Sequence, residues 1–109
     1  MPSIAVLVAI AIPIFTSQLE KSRDATTIAN LRSAYAEASA TALTADDPTA
    51  AVKIEGVAAQ GTQDGWAGNV NSKLPFTLGT GCDAMEDTPG DYDVTFTFAD
   101  DGTCTATVE

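Results

Sequence analysis

Histidine is absent from this sequence of 109 residues, and basic residues are scarce, since five Lys and Arg stand against fifteen Asp and Glu. The lack of histidine excludes Ser-His-Asp and Cys-His catalysis and histidine-ligated zinc. The net charge of −10 argues against nucleic acid bound by charge and against electrostatic docking on anionic lipid. The length fits one domain, and a hydrophobic fraction of 45% is too high for a disordered acidic tail.

Charge and hydrophobicity are unevenly distributed along the chain. Residues 1–45 carry three positive and three negative charges, whereas residues 46–109 carry two positive and twelve negative charges. The twelve residues 4–15 have no polar side chain. A helix needs about 20 apolar residues to cross a bilayer, so this run is too short to cross alone. We interpret it as the end of a longer hydrophobic helix that begins before Met1, with a kink expected at Pro13.

An amphipathic helix is predicted to continue from this apolar run. Five apolar residues recur at alternating spacings of three and four and define one stripe of a helix: Ile28, Leu31, Tyr35, Ala38 and Ala42. Phe15 and Leu19 begin a similar stripe, and Pro48 after two aspartates ends the helix. The sequence predicts a helix over about 4–45, about 60 Å long and longer than a domain of this size. We therefore expect residues 1–23 to form a projecting hydrophobic assembly segment and residues 24–109 to form the globular domain.

The C-terminal part carries the pattern of a β-hairpin. Apolar and polar residues alternate over 92–98 and again over 104–108, separated by a turn that contains Gly102. Weaker strand patterns occur near 51–57 and 74–78. The inner face of the hairpin, with Phe96 and Phe98, is predicted to pack on the helix stripe at Ile28, Leu31 and Tyr35. The predicted fold class is α+β, with a long N-terminal helix packed on a small antiparallel sheet.

The sequence has two cysteines, Cys82 and Cys104, and we expect them to form a disulfide. Such a bond would close the segment that contains the hairpin and contribute about 3 kcal/mol of stability. It would also imply an oxidising, extracytoplasmic location. Two buried free thiols and a metal pair are the alternatives, although two cysteines without histidine make a poor zinc site.

Acidic residues surround these cysteines in the sequence. Asp-rich loops offer the oxygen ligands that calcium prefers, but the regular ligand series of a calcium loop is missing, and a solvated acidic surface is favoured. The seven residues concerned are Asp83, Glu86, Asp87, Asp91, Asp93, Asp100 and Asp101. Trp66 is predicted to cover the sheet, with an exposed ligand contact as the alternative. We predict no catalytic residue, no metal ligand and no cofactor.

Residues 4–23 resemble the N-terminal helix of type IV pilins. The resemblance rests on the step Ala11, Ile12 and Pro13, on the aromatic Phe15 two residues later, and on the change to polar side chains over 16–23. The order of helix, loop and antiparallel sheet with a C-terminal disulfide extends the resemblance less specifically. The family's basic leader, processing site and N-terminal glutamate have no counterpart here. The resemblance therefore implies a pilin truncated within its hydrophobic helix.

This resemblance implies a structural, non-enzymatic subunit of a type IV pilus used in adhesion, motility or DNA uptake. Its partners would be identical subunits in a helical filament and the pilus assembly machinery, with the subunit in the inner or cytoplasmic membrane before assembly and on the extracellular cell surface afterwards. The alternatives are a pseudopilin of a type II secretion or competence system and a secreted adhesion or binding module. The residues predicted to drive filament assembly are Ile4, Val6, Leu7, Val8, Ile10, Ile12, Pro13, Ile14 and Phe15.

Overall fold

The computed structural model of the chain describes residues 2–67 and 70–108, with side chains in the first helix described from Gln18 onward. The assembly residues predicted within 4–15 therefore lie outside the residues whose side chains are described. Within the described part of the chain, no helix has a stretch both long and apolar enough to cross a membrane.

One long helix is followed by a four-stranded sheet, and the predicted α+β class with a helix packed on a sheet is confirmed. The elements in chain order are α1 (Pro2–Thr44), β1 (Val52–Ala59), β2 (Thr77–Leu78), α2 (Ala84–Asp87), β3 (Gly90–Phe98) and β4 (Cys104–Val108). Alanine is frequent in the second half of α1 and favours helix by intrinsic propensity. After α1 the chain turns at Asp47, whose carboxylate accepts hydrogen bonds from the Thr49 N–H (3.0 Å) and hydroxyl (2.6 Å).

The sheet has the strand order β1-β3-β4-β2. Strands β3 and β4 form the predicted antiparallel hairpin, with Phe98 opposite Cys104 at the turn. Gly102 supplies the positive φ of 89° that this turn requires. Strand β1 pairs antiparallel with β3, and its register shifts at a bulge between Ile54 and Val57.

The sheet is not purely antiparallel, so that part of the prediction was wrong. Strand β2 forms the edge beside β4 and runs parallel to it, with Thr77 opposite Thr105. Both β1 and β4 run antiparallel to β3, so β2 runs in the same direction as β1. The connection 60–76 therefore returns the chain to the end of the sheet where β1 started, and a parallel edge strand results.

The hydrophobic core lies between the second half of α1 and one face of the sheet. Ile28, Leu31 and Phe96 are buried there, while Tyr35 and Phe98 are partly buried against them. The Tyr35 ring centroid lies 6.0 Å from that of Phe96 and 6.3 Å from that of Phe98. These tilted aromatic contacts join the helix stripe to the inner face of the hairpin.

A polar seam between helix and loop

The buried face of α1 changes from apolar to polar on the N-terminal side of Ile28. Leu19, which the sequence pattern placed at the start of a further apolar stripe with Phe15, is 40% exposed. The buried positions are instead Glu20, Asp24 and Thr27, which are 4%, 0% and 0% exposed. Their spacing of four and three continues the apolar stripe with polar side chains. Polar side chains that are buried in this way need hydrogen-bond partners within the protein.

Two uncharged side chains of α1 fasten the end of β1 to the helix. The Asn30 side-chain amide donates to the Ala58 carbonyl oxygen at 3.0 Å. The Gln60 backbone N–H donates to the Thr27 hydroxyl oxygen at 2.9 Å, and that hydroxyl donates in turn to the Arg23 carbonyl at 3.1 Å. The chain leaving β1 is therefore held along the helix rather than left in solvent.

Glu20 binds the loop that follows. The Thr62 N–H donates to Glu20 Oε2 at 3.0 Å, and the Thr62 hydroxyl donates to Oε1 at 2.6 Å. Arg23 Nη1 lies 3.6 Å from Glu20 Oε1 and donates to the Thr62 hydroxyl oxygen at 3.1 Å. Burial opposes ionisation of Glu20, but the hydrogen bonds from Thr62, with Asp24 and Arg23 adding to them, hold its pKa below the usual value.

Asp24 lies one turn further along the helix and is less well satisfied. Its Oδ2 accepts a hydrogen bond from the Ala67 N–H at 2.7 Å, whereas its Oδ1 is buried without a hydrogen-bond donor among the described residues. Burial raises the pKa of Asp24, and the negative charges of Glu20 and Glu86 raise it further against the opposing effect of the Ala67 hydrogen bond. The two carboxyl groups therefore have pKa values displaced in opposite directions.

The loop 60–67 also contacts α2, in addition to its contacts with α1. Glu86 of α2 accepts a hydrogen bond from the Gly65 N–H at 2.9 Å. Gly61 is buried so tightly that a Cβ atom there would overlap the Glu86 carbonyl oxygen and lie 2.6 Å from Asp24 Oδ1. We call Glu20, Asp24, Thr27 and Asn30 together with the loop 60–67 the polar seam. It fixes the globular part to α1 next to residues 2–17.

The predicted disulfide is not present in the structure. Cys82 and Cys104 are both buried free thiols, as in one of the alternatives drawn from the sequence. The Cys82 thiol donates to the Ala106 carbonyl oxygen of β4 at 3.3 Å, so it points at the strand backbone. Burial raises the pKa of both thiols, which keeps them protonated and weakens them as nucleophiles.

The acidic residues near the cysteines lie in three separate parts of the fold. Those at 83–87 surround α2, Asp91 and Asp93 lie on β3, and those at 100–101 lie in the hairpin turn. Asp93 pairs with Lys53 at 3.6 Å on the surface, and Asp101 accepts hydrogen bonds from Thr103. Among the side chains that the structure describes, no three acidic or cysteine residues are grouped so that they could hold a metal ion.

Open clefts lie beside the seam and at the C-terminal end of α1. Trp66 packs partly against the core and lines a cleft of about 500 Å³ together with Cys82 and Glu86. An apolar cleft of about 240 Å³ at the C-terminal end of α1 includes Phe98 and Leu43, whose side chain is 84% exposed.

Comparisons with protein-family models, with curated proteins and with solved structures found no match.

Proposed function

We propose that this chain is a structural, non-enzymatic subunit of a type IV pilus-like filament, assembled through the hydrophobic first part of α1. The observation that carries the proposal is the continuity of one helix, Pro2–Thr44, from the apolar run 4–15 into the stripe that packs on the sheet. Side-chain attachment of the described helix to the globular part begins at Glu20. A displacement of the apolar segment would therefore move the globular domain with it.

The apolar run would stabilise an assembled filament against release of its subunits into water. It contains eight large apolar side chains in twelve residues, and none of the twelve is charged. Burying a side chain of this kind contributes about 1.5–3 kcal/mol, so packing the run against copies of itself would contribute on the order of 12–24 kcal/mol per subunit. Association costs about 4–15 kcal/mol in lost freedom of motion. Burial in a filament core is thus sufficient to hold subunits together.

The globular domain supplies the solvent-facing surface in this proposal. The whole net charge of −10 is carried by residues 46–109, since residues 1–45 are neutral. Repeated along a fibre, this charge would favour hydration and discourage lateral association, with a screening length of about 8 Å at physiological salt. The subunit would be held in the inner or cytoplasmic membrane before assembly and exposed on the cell surface afterwards. Its partners would be identical subunits and the assembly machinery.

Immunogold electron microscopy of the host cells tests the proposal, with antibody raised against residues 24–109. We expect labelled surface filaments in the wild type. Ile10→Asp places a charge in the apolar run and should abolish them. Leu43→Asp is the matched control, because it places the same charge at a side chain that is 84% exposed, and it should leave the filaments intact.

The other outcomes distinguish the remaining candidates. Sparse or absent filaments together with a secretion or DNA-uptake defect would favour a pseudopilin, which would use the same helix. Labelled protein released as monomers, with Ile10→Asp behaving like the wild type, would refute assembly through α1 and favour a secreted binding module.

A further inference from the structure

The polar seam contains two carboxyl groups whose hydrogen bonding does not balance if both are ionised. Glu20 and Asp24 lie one helical turn apart on the buried face of α1, where they are 4% and 0% exposed, and residues four apart on a helix are neighbours on its surface. Two buried carboxylates at this separation repel each other. In addition, Asp24 Oδ1 would remain a buried acceptor without a donor, which is costly inside a protein.

A single proton resolves both problems. We propose that Glu20 and Asp24 hold one proton between them in the folded protein, and that Asp24 Oδ1 carries this proton and donates it in a hydrogen bond to the Glu20 carboxylate. The two carboxyl groups then carry one negative charge between them. Asp24 Oδ1 then donates a hydrogen bond, and the Glu20 carboxylate accepts this bond in addition to the two from Thr62.

The surroundings decide which carboxyl group holds the proton. Glu20 has two donors from Thr62 and the guanidinium of Arg23, all of which favour its charged form. Asp24 has one backbone donor, the Ala67 N–H, and no cation at ion-pair distance among the described residues.

The charged groups facing Asp24 favour the same assignment. From α2 it faces Glu86, whose charge disfavours its ionisation, and from its own helix it faces Glu20. The loop 60–67 contributes neutral backbone donors, since its one acidic residue, Asp64, is exposed and pairs with Asp87. The proton therefore belongs on Asp24.

This arrangement makes the attachment of the loop 60–67 to α1 sensitive to pH. Because the folded state raises the pKa of Asp24, its contribution to stability is present at pH values below its unfolded pKa and is lost as the pH rises through its folded pKa. Above that value Asp24 and Glu20 repel each other, and the seam loosens next to the segment 2–17. The inference concerns the folded chain alone and does not depend on filament assembly.

The variant Asp24→Asn tests the inference because asparagine imitates a protonated aspartate. Its carbonyl oxygen can accept from the Ala67 N–H, and its NH₂ group can donate to Glu20. We expect Asp24→Asn to be at least as stable as the wild type in urea unfolding. Its advantage in the folding equilibrium constant should grow with pH, by up to about tenfold per pH unit between the two pKa values of Asp24. Asp91→Asn, at an exposed position of β3, should show no such growth.

Two results would overturn the inference. One is an Asp24→Asn protein that is less stable than the wild type by a margin that does not shrink as the pH rises. The other is stabilisation of the wild type by millimolar calcium that Asp24→Asn abolishes, because that would place a cation rather than a proton between the carboxyl groups.

A second measurement keeps the inference testable if the variant folds poorly. Carbon-13 NMR of the wild-type protein should show the Asp24 carboxyl titrating at a higher pH than an ordinary aspartate and the Glu20 carboxyl at a lower pH than an ordinary glutamate. An Asp24 carboxyl that titrates in the same pH range as an ordinary aspartate would refute the inference that Asp24 holds the proton.

Discussion

The substitution Glu20→Gln tests whether the polar seam holds the globular part on α1. The substitution keeps the side-chain shape but removes the negative charge and replaces one acceptor oxygen with an NH₂ donor, so one of the two Thr62 donors loses its acceptor. Glu20 is 4% exposed, so water does not compensate. Hydrogen bonds to charged groups contribute about 1.5–3 kcal/mol, and we expect the variant to lose about 2–3 kcal/mol. For a domain of this size, that corresponds to a decrease in Tm of about 10–20 °C.

Urea unfolding monitored in parallel by fluorescence and far-UV circular dichroism is the assay. Trp66 is the single tryptophan and lies in the loop 60–67, so its fluorescence reports on the seam while circular dichroism reports on the helix. Glu37→Gln is the matched control, since Glu37 is exposed on the same helix. If Glu20→Gln and Glu37→Gln change the stability equally, by less than about 0.5 kcal/mol as is usual for surface substitutions, the seam is not an energetic attachment.

The difference in stability between the wild type and Glu20→Gln should depend on pH in a defined direction. The folded state lowers the pKa of Glu20, so its contribution is present above its unfolded pKa, near 4.5, and is lost as the pH falls through the lowered value. While Asp24 stays protonated, the stability advantage of the wild type over Glu20→Gln should therefore be complete above the unfolded pKa of Glu20 and shrink in acid. An advantage that grows in acid would contradict the hydrogen-bonding assignment of Glu20.

The remaining predictions concern close packing and the thiols. Gly61→Ala should destabilise the fold by about 1–3 kcal/mol in the same urea assay, because the added methyl group overlaps the backbone of Glu86; unchanged stability would show that the loop is not packed as described. Cys82 and Cys104 should both react with DTNB, slowly in the native protein and rapidly in urea, because they are buried free thiols. A count of zero thiols after unfolding would instead demonstrate the disulfide.

The elements with long and regular periodicity could be predicted from the sequence. Helix α1 repeats its apolar spacing over many turns, and the β3–β4 hairpin alternates over two strands with Gly102 between them. Strand β2 has two residues and α2 has four, so neither carries a periodic signal. The parallel direction of β2 depends on where the connection 60–76 returns the chain, and local sequence does not specify this.

The polar seam was missed for a different physical reason. Glu20 and Asp24 are acidic residues one turn apart, a pattern typical of a solvated helix face, and the sequence pattern placed them between the apolar stripes. Their spacing relative to Ile28 and Leu31 was the available signal, since it places them on the buried stripe. What makes that burial tolerable is a set of backbone N–H groups from the loop 60–67, and such tertiary partners are not visible in the sequence.

Cryo-electron microscopy of the immunolabelled filaments is the most direct test of the central claim, that this chain assembles through α1. We predict helical density at the filament axis in which residues 4–15 of neighbouring subunits pack together, with the acidic domain of residues 46–109 on the outside. A filament whose core is formed by another protein, or in which residues 4–15 lie outside the subunit interface, would contradict the proposal.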